Sequence, residues 1–361
     1  MQTPQSLRPA ALAYAGMADL QTTQAIDAGA AKPASGELER QFELLRPPLT
    51  GYCYRMLGSA FEAEDAVQET MLRAWRSFER FEGRAALSSW LYRIATNVCL
   101  TMLDGRKRRA RPIDIGGPGS PAIEASALHT LPESDWIEPI PSSRVLSGDS
   151  DPAELAQSRE TLRLAFVAAL QHLPPRQRAV LILREVLRWQ ATEVAELLDT
   201  SVASVNSALQ RARATLAERD VSVGDASAEQ IGAEERALLE RYVEAFEDYD
   251  IDALVALLHE DATLTMPPFH LWLRGREALR DWYLGTGRHC RGSRLVPIMA
   301  NGMPAFAQYR CSGPNGEFEP WALQLLDISD GRIVAIDSFL DTPRMFPLFG
   351  VPASLPSGAT A

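Results

Sequence analysis

Hydrophobic positions along the chain change their spacing near residue 219. From residue 38 to 219 apolar side chains recur at every third or fourth position, which predicts amphipathic helices. Beyond that point a helix is predicted from Ala233 to Ala245, followed by a second short helix that ends at His259. Strands are then predicted at about 293–300, 303–311, 318–328 and 332–340. The turns Asn301-Gly302, Asn315-Gly316 and Asp330-Gly331 join them into an antiparallel meander.

One predicted helix begins after Ser59, which forms a capping-box pattern with Glu62. The spacing places Val67, Met71, Trp75 and Phe78 on one face of this helix, and its acidic residues on the other. An acidic helix face of this kind is a candidate protein-docking surface.

A further helix is predicted from Leu87 to Leu103, with Leu91, Ile94, Val98 and Met102 inside. Its opposite face carries a stripe of Trp90, Arg93, Asn97 and Thr101. Stacking, phosphate pairing and base-edge hydrogen bonding are the contacts that bind single-stranded nucleic acid. The alternative is a packing or interface tryptophan, so the stripe alone does not decide.

Two short helices are predicted close together, from Thr192 to Leu198 and from Ser201 to Arg213. Ser201 is a good N-cap, and the second helix places Val202, Val205, Leu209 and Ala212 inward. The short turn predicts a helix-turn-helix whose second helix enters a major groove. An ordinary antiparallel helix pair would have a similar pattern.

The chain is acidic overall, with a formal net charge of −11 in 361 residues. The basic run from Arg106 to Arg111 is therefore an isolated cationic segment that needs an anionic partner, or is a solvated tail. Cys53, Cys99, Cys290 and Cys311 have no metal-type spacing, and we expect them to be reduced and structural. No apolar run reaches transmembrane length, and we expect a cytoplasmic protein. We also expect no metal or cofactor, since the cysteines lack a metal-ligand spacing.

Three ordered motifs resemble those of an extracytoplasmic-function sigma factor of the sigma-70 family. They are the segment from Asp65 to Trp75, the segment from Trp90 to Asn97, and Leu173-Pro174-Pro175-Arg176-Gln177-Arg178 before the helix-turn-helix. This family binds core RNA polymerase and directs promoter recognition and melting. The resemblance therefore implies that core polymerase and promoter DNA are the partners.

The resemblance also implies a role for particular residues. The polymerase-binding set is Asp65, Gln68, Glu69, Leu72 and Trp75. The promoter-melting and minus-10 set is Trp90, Arg93, Asn97, Arg106 and Arg108, with the loop from Glu79 to Ser88 holding a flipped base. The minus-35 set is Ser201, Ser204, Asn206, Ser207, Gln210 and Arg211. Asn206 and Ala208 stand where such proteins often carry Lys and Arg, and Asp199 where the turn usually has Gly.

The remainder of the chain, residues 231–345, resembles the SnoaL-like domain. The motifs are Tyr242-Val243-Glu244-Ala245-Phe246, the run from His259 to Pro267, and Gly275-Arg276-Glu277-Ala278-Leu279. Sigma factors with such a domain generally lack a dedicated anti-sigma partner, and we expect the same here, with regulation in cis. Whether a small-molecule ligand occupies the pocket is left open.

An enzymatic interpretation of this domain has to be weighed, because SnoaL-like proteins include cyclases and isomerases. The candidate pocket groups are His270, Trp272, Trp282, Tyr283, Trp321 and Asp337. An acid/base pair of His270 and Asp337 is conceivable, but their separation in sequence does not show that they meet. We predict a chain that is not an enzyme. The rival classes are an enzyme or ligand-binding domain fused to a helix-turn-helix regulator, and a plain repressor.

The predicted architecture is multidomain. Two all-α domains precede an α+β, cone-shaped SnoaL-like domain. The predicted spans are a disordered tail (1–36), sigma region 2 (37–111), a linker (112–152), sigma region 4 (153–220), the SnoaL-like domain (231–345) and a C-terminal tail (346–361). Trp136 and Pro139 make part of the linker too apolar for a spacer, and they are predicted to anchor it, together with an apolar tail segment from Met345 to Phe349, to a neighbouring domain.

Overall fold

The computed structural model describes residues 35–81, 86–146, 152–218 and 232–357. The predicted N-terminal tail lies almost wholly outside these residues. The first helical domain consists of α1 (Ser35–Leu57), α2 (Ala60–Ser77) and α3 (Leu87–Leu103). Ser59 is the N-cap of α2, as predicted, and its Oγ accepts a hydrogen bond from the Glu62 amide at 3.2 Å. The predicted bounds of α3 are confirmed.

The linker has no α-helix or strand between residues 112 and 146, in agreement with its proline and glycine content. It forms short 3₁₀ turns at Pro112–Asp114, Ala125–Ala127, Glu133–Asp135 and Ser142–Arg144. Ile137 and Ile140 are nevertheless buried within the same hydrophobic cluster as the helices. The linker is therefore irregular in secondary structure but packed against the helical domains.

The second helical domain consists of α4 (Pro152–Glu160), α5 (Leu164–Gln171), α6 (Pro175–Leu181) with a π turn at Ile182–Val186, α7 (Ala191–Leu197) and α8 (Val202–Ala217). The predicted helix-turn-helix is confirmed as α7 and α8. Asp199 lies in the turn with φ 49°, a left-handed conformation that explains why glycine suits this position. Val202 was predicted to face inward, and this is wrong: it is 38% exposed, because it opens the first turn of α8.

The sheet domain begins with α9 (Ala233–Glu247) and α10 (Ile251–Ala256). Its strands and remaining helices are β1 (Leu258–Thr265), β2 (Trp272–Arg274), α11 (Arg276–Leu284), β3 (Arg294–Ala300), β4 (Met303–Cys311), β5 (Phe318–Ser329), β6 (Arg332–Phe339) and α12 (Thr342–Phe349). The six-stranded sheet has the order β2-β1-β6-β5-β4-β3. The four predicted strands are confirmed as β3 to β6.

Two predictions about this domain are wrong. The second helix does not reach His259, which lies in β1, because β1 pairs in parallel with the distant β6 and the pairing overrides the local pattern. The apolar segment from Met345 is not an irregular tail. It lies within α12, an amphipathic helix that includes Pro347 and buries Met345 and Phe346.

The two helical domains share one core with a face of the sheet domain, which also has a core of its own. One hydrophobic cluster joins Leu49 of α1, Ile140 of the linker and Leu170 of α5 to Met303 of β4 and Met345 of α12. A second cluster fills the inside of the sheet domain. Because burial of apolar area is the dominant favourable term, the shared cluster holds the two helical domains and one face of the sheet domain together.

Candidate functional site

The outer face of α2 is exposed, acidic and partly apolar. Asp65 and Gln68 face solvent, and Leu72 and Trp75 are 44% and 49% exposed. Glu69 is half-buried and pairs with Arg73 at 2.7 Å. The Trp75 ring makes an edge contact with Phe42 at a centroid distance of 6.4 Å and remains open to solvent. Exposed large apolar side chains beside a carboxylate suit a protein-docking surface.

The stripe on α3 is only partly open. Asn97 and Thr101 are exposed, but Trp90 is half-buried, with its ring 4.9 Å from Phe81 and 6.4 Å from Phe78 between centroids. Part of its stacking surface is therefore already occupied. Within the adjoining loop from Glu79 to Ser88, residues 82–85 lie outside the described part of the chain.

Arg93, the central cation of this stripe, contacts the helix-turn-helix. Its Nη2 donates to the carbonyl of Glu196 at 2.5 Å, and its Nε donates to that of Leu197 at 3.3 Å. These carbonyls belong to the last turn of α7, where no intrahelical donor remains and the helix dipole is negative. The neighbouring Tyr92 packs against Trp189 at 5.2 Å between ring centroids. The second helical domain thus contacts the predicted promoter-melting face at Arg93 and Tyr92, while the Arg93, Asn97 and Thr101 side chains remain exposed.

Two more arginines cross the same interface to the ends of helices. Arg55 of the first helical domain donates to Thr161 Oγ1 at 2.7 Å and to the Thr161 carbonyl at 3.2 Å, just after α4. Arg178 of the second helical domain donates to the Met56 carbonyl in the last turn of α1. Burial lowers the pKa of each guanidinium to about 10. Sequence analysis missed Arg55 and assigned no separate role to Arg178, because long-range carbonyl partners leave no local pattern.

The basic run after α3 is largely engaged within the protein. Arg106 pairs with Glu62, and Arg109 pairs with the same carboxylate at 3.0 Å. The Arg108 guanidinium contacts Nδ1 of His172 in the second helical domain. The predicted promoter residues Arg106 and Arg108 therefore line the boundary between the two helical domains.

The recognition surface of α8 is open. Ser201 and Ser204 are exposed at its start, and Ser201 Oγ accepts from the Ser204 amide at 3.1 Å. The remaining residues of the predicted minus-35 set are Asn206, Gln210 and Arg211, which are exposed, and Ser207, which is half-buried. Arg211 Nη1 donates to Ser207 Oγ at 2.6 Å, so its guanidinium is held along the helix surface. Exposed amides and a cation on one helix surface have the donors and acceptors that direct readout of bases requires.

Asn301, in the β3–β4 turn, contacts the first helical domain, the linker and the second helical domain. Sequence analysis did not identify it as a functional residue. It is fully buried, and its Nδ2 donates to the Tyr54 hydroxyl of α1 at 2.6 Å and to the Leu162 carbonyl at 2.7 Å. Its Oδ1 accepts from the linker amide of Ile140 at 2.9 Å. The next residue, Gly302, approaches the backbone of Arg159 so closely that a Cβ would lie 2.9 Å from its Cα. The sequence signal, Asn-Gly, indicates the turn but not the docking.

The predicted linker anchors Trp136 and Pro139 are both buried. The Trp136 carbonyl accepts from Arg109 Nη1 at 2.6 Å. Arg344 of α12 makes a second set of contacts. It forms ion pairs with Glu133 and Glu138 of the linker, and its guanidinium lies 4.2 Å from the Phe61 ring centroid in α2. The linker, α12 and the first helical domain are therefore joined by charge as well as by apolar contact.

The candidate pocket groups of the sheet domain do not form an acid/base pair. His270 is exposed against Gly116 of the linker, whereas Asp337 is buried and accepts from Thr265 Oγ1 at 2.6 Å. Burial raises the pKa of Asp337. The aromatic groups Trp272, Trp282 and Tyr283 are buried, and Trp321 stacks with Arg310 at 3.8 Å.

A hydrogen-bonded chain occupies part of the sheet domain's interior. The Tyr242 hydroxyl donates to Gln324 at 2.8 Å, Gln324 to Gln308 at 2.7 Å, and Gln308 to Ser293 at 2.9 Å. Because these buried polar groups satisfy each other, they suit a rigid scaffold. Across the described ranges, no cluster of His, Cys, Asp and Glu could hold a metal ion. Nor does any helix there have the length and apolar character needed to cross a membrane.

Three known families match successive parts of the chain. Sigma-70 region 2 matches residues 41–109, sigma-70 region 4 matches residues 163–216, and the SnoaL-like domain matches residues 239–336. These matches fall within the first helical domain, the second helical domain and the sheet domain.

Individual proteins are similar over most of the chain. The ECF RNA polymerase sigma factor SigG of Mycobacterium tuberculosis is 44% identical over 322 residues, 89% of this chain and 85% of that protein. SigJ of the same species, also an ECF sigma factor, is 26% identical over 84% of this chain and 93% of that protein. The crystal structure of SigJ matches with a TM-score of 0.54 at 23% identity, covering 87% of this chain and 99% of that chain, which supports the fold alone.

Proposed function

The chain belongs to the extracytoplasmic-function RNA polymerase sigma factors, and on that premise we propose how its surfaces divide the work of initiation. Sigma factors bind core RNA polymerase and promoter DNA, and they are not enzymes. The first helical domain is sigma region 2, and the second is sigma region 4. We assign polymerase docking to the α2 face around Asp65, strand separation to α3 around Asn97, and minus-35 recognition to α8 around Gln210.

We propose further that the arrangement seen here is a closed form that is inactive for promoter melting. The observation that carries this proposal is the pair of hydrogen bonds from Arg93 to the Glu196 and Leu197 carbonyls. While these bonds last, the Nε and Nη2 donors of Arg93 are occupied by α7 and cannot bind a DNA phosphate, although the side chain itself is exposed. Region 4 must therefore leave α3 before α3 can hold an unpaired strand.

The sheet domain is proposed to maintain the closed form. Asn301 bonds to region 2, the linker and region 4 together, and the Arg163–Asp327 ion pair adds a direct contact between region 4 and β5. A third domain that contacts both DNA-binding regions fixes their relative pose and opposes any other. Regulation in cis by the SnoaL-like domain follows as the proposed function of this unit.

Run-off transcription with purified core polymerase tests this proposal. The full chain is compared with a chain that ends at residue 218, at equal polymerase occupancy so that a misfolded protein does not contribute. We expect the shortened chain to give more transcript, because region 4 is released from α3. Equal or lower output would contradict the closed form as the inactive state.

Three finer expectations stay predictions. The absence of a dedicated anti-sigma partner receives no support from the similar structures, among which is the sigma factor RpoE in complex with the anti-sigma factor NepR from Bartonella quintana, with a TM-score of 0.33. A ligand of the SnoaL-like domain and a cytoplasmic location are likewise untested. Co-purification from cells with tagged full-length chain would reveal any anti-sigma partner.

A further inference from the structure

A cleft of about 830 Å³ opens where region 2, the linker and region 4 meet. Region 2 contributes four consecutive cations, from Arg106 to Arg109, and region 4 contributes His172 and Arg178. The only carboxylates among the lining residues are those of Glu62 and Asp135, so the lining carries an excess of three positive charges with His172 neutral. In a chain of net charge −11 this is a local concentration of positive charge.

Several of these cations lack a carboxylate partner. Arg178 is only 3% exposed, and its guanidinium bonds to Met56, Leu173 and Gln171 through carbonyl and amide oxygens. Its Nε has no hydrogen-bond partner among the described residues. The Arg108 guanidinium contacts His172 instead of an acid. A buried charge without a counter-charge is costly, and a bound anion would relieve that cost.

The volume of the cleft and the residues that line it indicate which class of anion could bind there. Its volume lies within the range of roughly 300–1,000 Å³ that is typical of small-molecule sites. Its walls come from three segments, with Pro132 of the linker and Pro174 of region 4 among them. Arginine is the preferred residue for phosphate because its fork donates two parallel hydrogen bonds.

We propose that this cleft binds a compact anion with several linked phosphates, either free or as part of a nucleotide, and that the anion bridges regions 2 and 4. The site rests on the closed form proposed above, because the two sets of cations meet only in that form. A ligand that binds only the closed form stabilises it by mass action. The bound anion would therefore oppose promoter opening.

Calorimetric titration of the full-length chain tests the site. Inorganic tripolyphosphate is the first probe, GTP the second, and inorganic phosphate the single-phosphate comparison. We expect saturable binding of tripolyphosphate with one site per chain, and much weaker binding of phosphate. Tighter binding of GTP than of tripolyphosphate would assign a nucleotide, and equal binding would assign the phosphate chain alone.

Matched variants locate the site. Lys107→Gln with Arg108→Gln removes two exposed cations of the cleft and should weaken tripolyphosphate binding by at least about tenfold, since charge-assisted contacts to phosphate are strong. Arg274→Gln with Arg288→Gln removes the same charge from exposed positions of the sheet domain and should change little. Equal loss in both double variants, or no saturable binding, overturns the proposal.

A parallel measurement of the distance between regions 2 and 4 separates this proposal from the closed form itself. A closed chain that binds no tripolyphosphate overturns the cleft and leaves the closed form standing. An open chain that binds none contradicts both. An open chain whose binding still depends on Lys107 and Arg108 shows that the basic run acts alone, which also overturns the cleft.

Discussion

Replacing Asn301 should loosen the contact of the sheet domain with the helical domains. The change Asn301→Gly is preferable to alanine because Asn301 has φ 53°, which glycine adopts without strain. It removes three buried side-chain hydrogen bonds, to Tyr54, Leu162 and Ile140. The Tyr54 hydroxyl still donates to the Glu138 carbonyl at 2.9 Å, so that group keeps a partner.

The magnitude follows from the groups left behind. A buried hydrogen bond contributes about 1 kcal/mol net, and a buried group left without a partner costs about 1–3 kcal/mol. With Leu162 and Ile140 each losing a partner, the docked form should lose about 2–6 kcal/mol. This corresponds to a weakening of docking by roughly 30- to 20,000-fold.

Asp330→Gly is a matched control. Asp330 has φ 51° and precedes Gly331 in the β5–β6 hairpin, as Asn301 precedes Gly302, but it is exposed. Hydrogen exchange of the linker peptide that contains Ile140 reports the docking, and run-off transcription at equal polymerase occupancy reports the consequence. We expect faster exchange and more transcript for Asn301→Gly only. Identical hydrogen exchange and transcription in the two variants would refute the claim that Asn301 holds the sheet domain against the helical domains.

Further predictions concern the other surfaces. Replacing Asp65 and Glu69 with Lys should weaken binding to core polymerase by at least about tenfold, because charge reversal at an exposed docking face costs affinity. Co-purification with core polymerase measures this binding, and unchanged binding would contradict the assignment of α2 as the docking face. Gln210→Ala should relax base preference at one or two upstream positions, whereas Arg211→Ala should weaken DNA binding generally, and footprints that are unchanged in both would exclude α8. Because the pKa of Asp337 is raised, this carboxyl keeps its proton to higher pH in the folded chain than in the unfolded chain, so the free energy of unfolding should fall as pH rises above about 4. In denaturant titrations Asp337→Asn should lose this pH dependence, and an equal fall in the original chain and the variant would contradict the raised pKa.

Local structure could be predicted from the sequence where the signal is itself local. Ser59 and Ser201 mark helix starts because their hydroxyls satisfy amides a few residues away. Asn301-Gly302 and Asp330-Gly331 mark turns because few residues adopt a positive φ. The exposed positions of Asp65 and Gln210 followed from helical periodicity, whereas Gln68 came only from the family resemblance.

Features that depend on distant partners could not be predicted in this way. The strand β1 forms because Leu264 pairs with Ile336, seventy-two residues away. The hydrogen bonds of Arg93 depend on carbonyls about a hundred residues further along the chain. Trp75 shares a predicted helix face with Val67, and only the tertiary packing shows that Val67 is buried while the Trp75 ring contacts Phe42 and stays open to solvent. The closed arrangement is thus a property of tertiary contacts.

The distance between regions 2 and 4 in solution tests the central claim most directly. Glu39→Cys on α1 and Ala214→Cys on α8 provide two exposed label positions, in a Cys311→Ser background because that native thiol is exposed. Double electron–electron resonance is recorded on the free chain and on its complex with core polymerase and promoter DNA. The closed form predicts a single short distance in the free chain, which is replaced by a longer one in the complex. The same distance distribution in both states would contradict it.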